Sequence, residues 1–217
     1  VEPLRPTCER TATIPGVDTA VALVQSYLYA NGFFTVTEYP ILETLEPGAS
    51  RTVTDIDVLA VRFPGAGEGD GVSTTSGIIL EPDPTLGISD EYIDVIIGEV
   101  KEGTAELNRA ARDPDVLRAV LGRFGRMRGE VADELVEELV RTGLAVHPAG
   151  IRLRQMVFAS RPPTKRNIRY TWVSHGHIAS WMREQVRTHW DKLKTIQSKD
   201  PALSFLLLFE KALQGEE

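Results

Sequence analysis

The segment Tyr92-Ile93-Asp94-Val95-Ile96-Ile97-Gly98-Glu99-Val100-Lys101 constrains the fold of this chain more than any other. It is a near-continuous apolar run of strand length, and such runs belong to strands covered on both faces. The run Val53–Phe63 has the same character toward its end, through Ile56, Val58 and Ala60. Upstream, Asp18 caps a helix with Val21, Val24 and Leu28 on its apolar face, and Asn31-Gly32 stops it. A first strand follows over about Phe33–Leu42, and Glu46-Pro47-Gly48 turns the chain. After Gly103 the pattern becomes helical: Asp113-Pro114 opens one helix reaching Phe124, and residues 130–142 form a second, ended by Gly143. Residues 151–160 and 167–174 read as strands, His177 to about Ile196 as a helix, and Asp200-Pro201 opens a last helix ending near Leu213. This order mixes hairpin-like strands with one crossover, which implies an α/β fold with a central mixed β-sheet, helices on both faces and extra C-terminal helices. Residues 1–16, with Pro3, Pro6 and Pro15 and no periodicity, read as an N-terminal arm; 17–217 read as one domain, its core about 18–160 and its extension about 161–217.

Both apolar strands carry charged residues at one end. Side chains alternate along a strand, so Glu99 and Lys101 share a side, as do Asp55 and Asp57. If the second and third strands are neighbours, Asp57, Glu99 and Lys101 converge on one point. Hard cations such as Mg²⁺ take carboxylate oxygens and keep several waters. A metal held beside a phosphate lowers the pKa of a bound water and stabilises developing charge. A nearby lysine orients that water or steadies the charge. Between two acids its charged form is favoured, which points to the stabilising role over that of a base.

An Asp in one strand followed by Glu-x-Lys at the end of the next, after a helix and a first strand, resembles the PD-(D/E)XK nucleases. The resemblance covers roughly residues 18–160 and includes the helix–strand–strand–strand–helix–strand order. It implies a restriction-endonuclease-like three-layer fold and an Mg²⁺- or Mn²⁺-dependent deoxyribonuclease. By this likeness Asp57 and Glu99 bind the metal with help from the Val100 carbonyl, and Lys101 is the catalytic lysine. Many members carry a Glu on the first helix; here the inward candidate is Gln25, suited to holding a metal-bound water, and no acid lies between Thr19 and Asn31. DNA is the substrate most of the class acts on; an RNA-directed nuclease, or a catalytically inactive nucleic-acid-binding or assembly module on the same fold, stays open beside it.

Net charge is −7, but the distribution says more than the total. Residues 1–103 hold five basic residues, whereas 161–199 hold nine against Glu184 and Asp191 only. An acidic metal site beside a phosphate-binding surface produces such an asymmetry. The expected nucleic-acid contacts are Arg161, Lys165, Arg166 and Arg169 in a basic loop, and His175 and His177 at a helix start, where packing and capping are the simpler role. Trp172, Trp181 and Trp190 offer stacking surfaces, although core packing explains them more economically. The Gly-rich segment 64–90 reads as a gating loop or a tolerated insertion. The single cysteine, Cys8, excludes an internal disulfide, and no signal peptide or membrane span is read, so a cytoplasmic protein is expected. The helix Pro201–Leu213 has more apolar surface than one core contact needs, which leaves a homodimer open.

Overall fold

A computed structural model describes residues 18–46, 49–66, 81–125 and 127–215. The expected N-terminal arm, Cys8, the Pro47-Gly48 turn and most of the Gly-rich segment lie outside them.

The elements run α1 (Thr19–Ala30), β1 (Phe34–Glu46), β2 (Ala49–Arg62), β3 (Ile93–Thr104), α2 (Pro114–Leu121), α3 (Glu130–Thr142), β4 (Leu144–His147), β5 (Ile151–Arg161), β6 (Thr171–Ser174), α4 (His175–Thr188), α5 (Trp190–Leu193) and α6 (Pro201–Gln214). The six strands form one sheet in the order β1-β2-β3-β5-β4, with β6 also on β5. The pairs β1–β2 and β2–β3 are antiparallel, and β3–β5 is parallel. β5 has two partners on its outer edge: β4 runs antiparallel beside Ile151–Arg154, and β6 parallel beside Met156–Ala159. Gln155 lies at the changeover, its N–H bonded to the Gly143 carbonyl at 2.8 Å.

Helices cover both faces, as the apolar runs require. One core joins Val58, Ala60, Ile96, Met156 and Phe158 of the sheet to Val24 and Leu28 of α1, Ile178 and Met182 of α4, and Leu203 and Leu207 of α6. The other joins Leu59, Val95, Ile97 and Leu153 to Val116, Leu117, Val120 and Leu121 of α2 and Leu135, Val136 and Leu139 of α3. The result is an α/β fold with a mixed sheet between two helical layers. Phe205, Leu208, Phe209 and Leu213 of α6 stay 41–64% exposed, the apolar excess read from the sequence.

Caps set several boundaries. The carboxylates of Asp18, Asp113 and Asp200 accept backbone N–H bonds at the starts of α1, α2 and α6, and Ser174 Oγ accepts from the His177 N–H at 3.0 Å at the start of α4. Several boundaries differ from the sequence reading: β1 runs on to Glu46 and β2 starts at Ala49, each about four residues beyond the apolar run that marked it, and β3 continues to Thr104. α4 begins at His175, two residues early, because Ser174 is its cap; it stops before His189, whose φ of −105° and ψ of 23° separate it from α5. The sixth strand is only Thr171–Ser174, because residues 167–170 run outside the pairing with β5. The short strand β4 was not expected: four residues, with Leu144 and Val146 each 43% exposed, carry too little pattern to register.

Candidate active site

β2 and β3 pair as far as Val58 opposite Gly98 and then part. Gly98 fits closely here: a Cβ would press on the Phe158 ring at 3.2 Å and the Val58 carbonyl at 3.3 Å, so both would have to give by a few tenths of an ångström. Asp57 and Glu99 are the next residues on either side of the fork, and their side chains bind its separated edges. Asp57 Oδ2 accepts the Val100 N–H at 2.7 Å, a ladder donor left without a strand partner. Glu99, 5% exposed, accepts from Asn108 Nδ2 at 2.9 Å and pairs with the Lys101 ammonium.

β2 turns over at this point. Ile56 enters the α2/α3 core and Val58, two residues on, enters the α1/α4 core. Residues two apart on a regular strand would share a face. The register passes from Thr37–Val58 to Tyr39–Ile56, skipping Glu38 opposite Asp57. Among the described residues Glu38 alone, glycines aside, has a positive φ, 51°. This twist leaves Asp57 between the two faces, directed at the fork. It also corrects the expectation that Asp55 and Asp57 act from a common side of a regular strand: Asp55 is exposed and reaches Asp57 through its charge.

The electrostatics are those of two crowded acids. Burial pushes the Asp57 carboxyl above its usual range; the Val100 N–H and Lys101 oppose this, while the charges of Asp18 and Asp55 add to it. Glu99 is likewise raised, first by burial, with the Lys101 hydrogen bond opposing and the Asp57 charge reinforcing. The α1 residue whose charge reaches the site is thus its N-cap, Asp18. Gln25 is half-buried farther along α1, and its side chain makes no hydrogen bond to Asp57, Glu99 or Lys101.

The site lies where parallel strands β3, β5 and β6 end together: Lys101 registers with Ala159, and Ala159 with Ser174. His175 follows directly, its Nδ1 3.1 Å from Ser160 Oγ. Burial depresses its pKa against the opposing charges of Glu102 and Asp18. Asp18 therefore lies close enough to influence both Asp57 and His175. His177 serves a different purpose: its Nε2 is 2.6 Å from Asp83 Oδ2, which also accepts the Tyr27 hydroxyl at 2.7 Å. Asp83 is 2% exposed; burial raises its pKa, but the Tyr27, Thr85 and His177 hydrogen bonds prevail and hold it low. This network ties α4 to α1.

Arg161 at the end of β5 and Lys165, Arg166 and Arg169 on the β5–β6 connection are all exposed. The downstream cations are dispersed: Arg183 pairs with Glu210 of α6, and Lys194 lies 3.6 Å from Asp191. The tryptophans pack, Trp181 edge-on to Tyr27 at 5.3 Å between ring centroids, Trp190 against the same core and Trp172 against Ala105, Leu107 and Val157.

Asn108, Asp18 and Glu102 were not singled out from the sequence for chemistry. Asn108 carried no local signal. It braces Glu99 while its Oδ1 accepts the Ala111 N–H at 2.6 Å, so its role arises only when the 105–112 segment folds back over β3.

No family model, curated protein or solved structure matches the chain. Among the described residues no group of three or more His, Cys, Asp or Glu side chains is arranged to hold a metal ion, and no helix is long and apolar enough to cross a membrane.

Proposed function

We propose that this chain is an Mg²⁺- or Mn²⁺-dependent nuclease of the PD-(D/E)XK, restriction-endonuclease-like class, cutting phosphodiester bonds in DNA. The observation that carries this reading is the meeting of Asp57, Glu99 and Lys101 at the β2–β3 fork. The donor set fits a hard cation. Two carboxylates and the Val100 carbonyl suffice for Mg²⁺, which binds through one or two carboxylates and retains waters and substrate phosphate oxygens. Two acids whose carboxyls burial pushes up, with the Asp57 charge adding to the rise at Glu99, are a site a divalent cation relieves. When bound, the ion supplies an activated water and charge stabilisation at the phosphate. Asp57 and Glu99 fix its place, and Asn108 orients Glu99. Lys101, 37% exposed in its side chain, donates to phosphate oxygens from the solvent side as negative charge builds on them. His175 and the basic β5–β6 connection flank the same strand ends and suit the substrate backbone.

A second reading is a binding or assembly module that kept the fold. It is favoured by the absence, among the described residues, of a third acid or His completing a metal cluster. Calorimetric titration with Mn²⁺ separates the two. The nuclease reading expects saturable binding at one or two ions per chain, lost in Asp57→Asn; no heat in the wild type favours the module.

A further inference from the structure

On the α2/α3 face of the sheet a cavity of about 270 Å³ opens where β5 exchanges β4 for β6. It is lined by Gln155 of β5, by the 105–107 segment and by Thr164, Lys165 and residues 167–170 of the β5–β6 connection. Gln155 is 3% exposed and is anchored by its Nε2 on the Ala111 carbonyl at 2.6 Å. Its Oε1, at the other end of the amide, accepts no hydrogen bond from the described residues. Tyr170 is fixed through its hydroxyl to the Ala105 carbonyl at 2.8 Å, so its ring stands as a wall. Arg112, Lys165 and Arg169 supply three positive charges against Glu106 alone. In a chain of net charge −7 this is a locally cationic cavity.

It is also close to the acids. On β3 and β5 the register sets Ile97 beside Gln155 and Glu99 beside Val157. Glu99 and Gln155 are therefore diagonal neighbours on adjacent strands, about 8 Å apart from strand rise and spacing. The 105–111 segment is a shared wall: Asn108 holds Glu99, and Ala105, Glu106 and Leu107 line the cavity.

We infer that this cavity holds one unpaired nucleotide of the substrate strand, its phosphate on Arg112, Lys165 and Arg169 and its base between Tyr170 and the Gln155 amide. The inference rests on the nuclease reading for the identity of the strand and adds that the site engages single-stranded DNA. At about 270 Å³ the cavity lies just under the ~300 Å³ at which small-molecule pockets begin, which suits one base with its phosphate at the open, cationic rim and excludes a duplex. Guanidinium and ammonium groups suit phosphate, and an aromatic wall with a held amide suits a base face and edge.

The test is fluorescence anisotropy with a labelled ten-nucleotide oligothymidylate and a labelled blunt duplex, in EDTA so that no cleavage intervenes. The single strand is expected to bind at least tenfold more tightly than the duplex. Arg112→Ala and Lys165→Ala, both at exposed positions, are each expected to weaken it several-fold and to reduce the salt slope by about 1. Equal affinity for duplex, wild-type affinity in both cation variants, or no binding at all overturns the inference. Binding that depends on Arg112 and Lys165 in a protein that never cleaves would leave the pocket standing and remove the nuclease reading. Cleavage with binding indifferent to both cations would do the reverse.

Discussion

Asp57 places a carboxylate where the fold does not profit from its charge. Its pKa is raised in the folded chain by burial and by neighbouring acids, so the stability this group contributes is greatest when it is protonated and is lost as pH rises through the folded value. Asp57→Asn keeps an acceptor for the Val100 N–H and removes the charge. It is expected to leave the melting temperature at neutral pH unchanged or raised by roughly 2–4 °C, about 1 kcal/mol in a chain of this size, while abolishing metal binding. Calorimetric melting of both proteins checks this. The same shifts set the pH dependence of the site. A metal needs both carboxylates ionised, and both are raised, so Mn²⁺ affinity is expected to fall on acidification before ordinary carboxylates near pH 4 titrate. Titration of Mn²⁺ from pH 8 down to 5 reads this directly. Glu99 and Lys101 were legible because an apolar strand carries them at known alternation, and Asp57 because it lies at the charged end of a second apolar strand, although the turn of β2 there breaks the alternation. Asp18 was legible as a cap and not as a neighbour of Asp57, since no local pattern encodes how α1 is laid across the sheet.

At the scale of elements, the helices and long strands were readable because caps and apolar runs mark them, and the failures occur where long-range contact decides. The turn in β2 at Asp57 needs Glu38 of the neighbouring strand in an unusual backbone conformation, which composition does not announce. The pairing of α4 with α1 through Asp83 joins residues 56 and 94 positions apart in sequence. Tyr27→Phe removes one of the donors that hold Asp83 ionised. It is expected to cost about 1–3 kcal/mol in chemical denaturation. Because Asp83 has a lowered folded pKa, its contribution is present at neutral pH and lost as pH falls through that value. The variant is therefore expected to unfold at a higher pH on acidification. Gly143 closes α3 at a φ of 78°, and a Cβ there would stand 1.9 Å from the Arg169 carbonyl oxygen. Gly143→Ala is expected to destabilise by more than ~1 kcal/mol and to displace residues 164–170, with correspondingly weaker binding of single-stranded DNA.

Over the whole molecule, charge and architecture are arranged to one end. The acids Asp57 and Glu99, the exposed cations of the β5–β6 connection and the start of α4 all lie where parallel strands finish, as ligand sites of α/β sheets do. The opposite ends of β3 and β5 carry a closed ion cluster, with fully buried Asp94 bound by Arg152 at 2.7 Å and Arg154 at 2.5 Å, which holds the sheet together and offers little to a ligand. The sequence asymmetry between an acidic first half and a basic 161–199 segment therefore corresponds in part to a real juxtaposition. It overstates it as well, because Arg183 is spent on Glu210 between α4 and α6. The central claim is that the β2–β3 fork is a metal-dependent phosphodiesterase centre. Cleavage of labelled single- and double-stranded DNA and RNA, with Mg²⁺, Mn²⁺ or EDTA, tests it most directly when wild type is compared with Asp57→Asn and Lys101→Ala. Metal-dependent cutting of DNA, lost on Asp57→Asn and reduced about 10²–10⁴-fold in a normally folded Lys101→Ala, is the expected result. Cutting that persists in both variants, or none in the wild type with either metal, would contradict it.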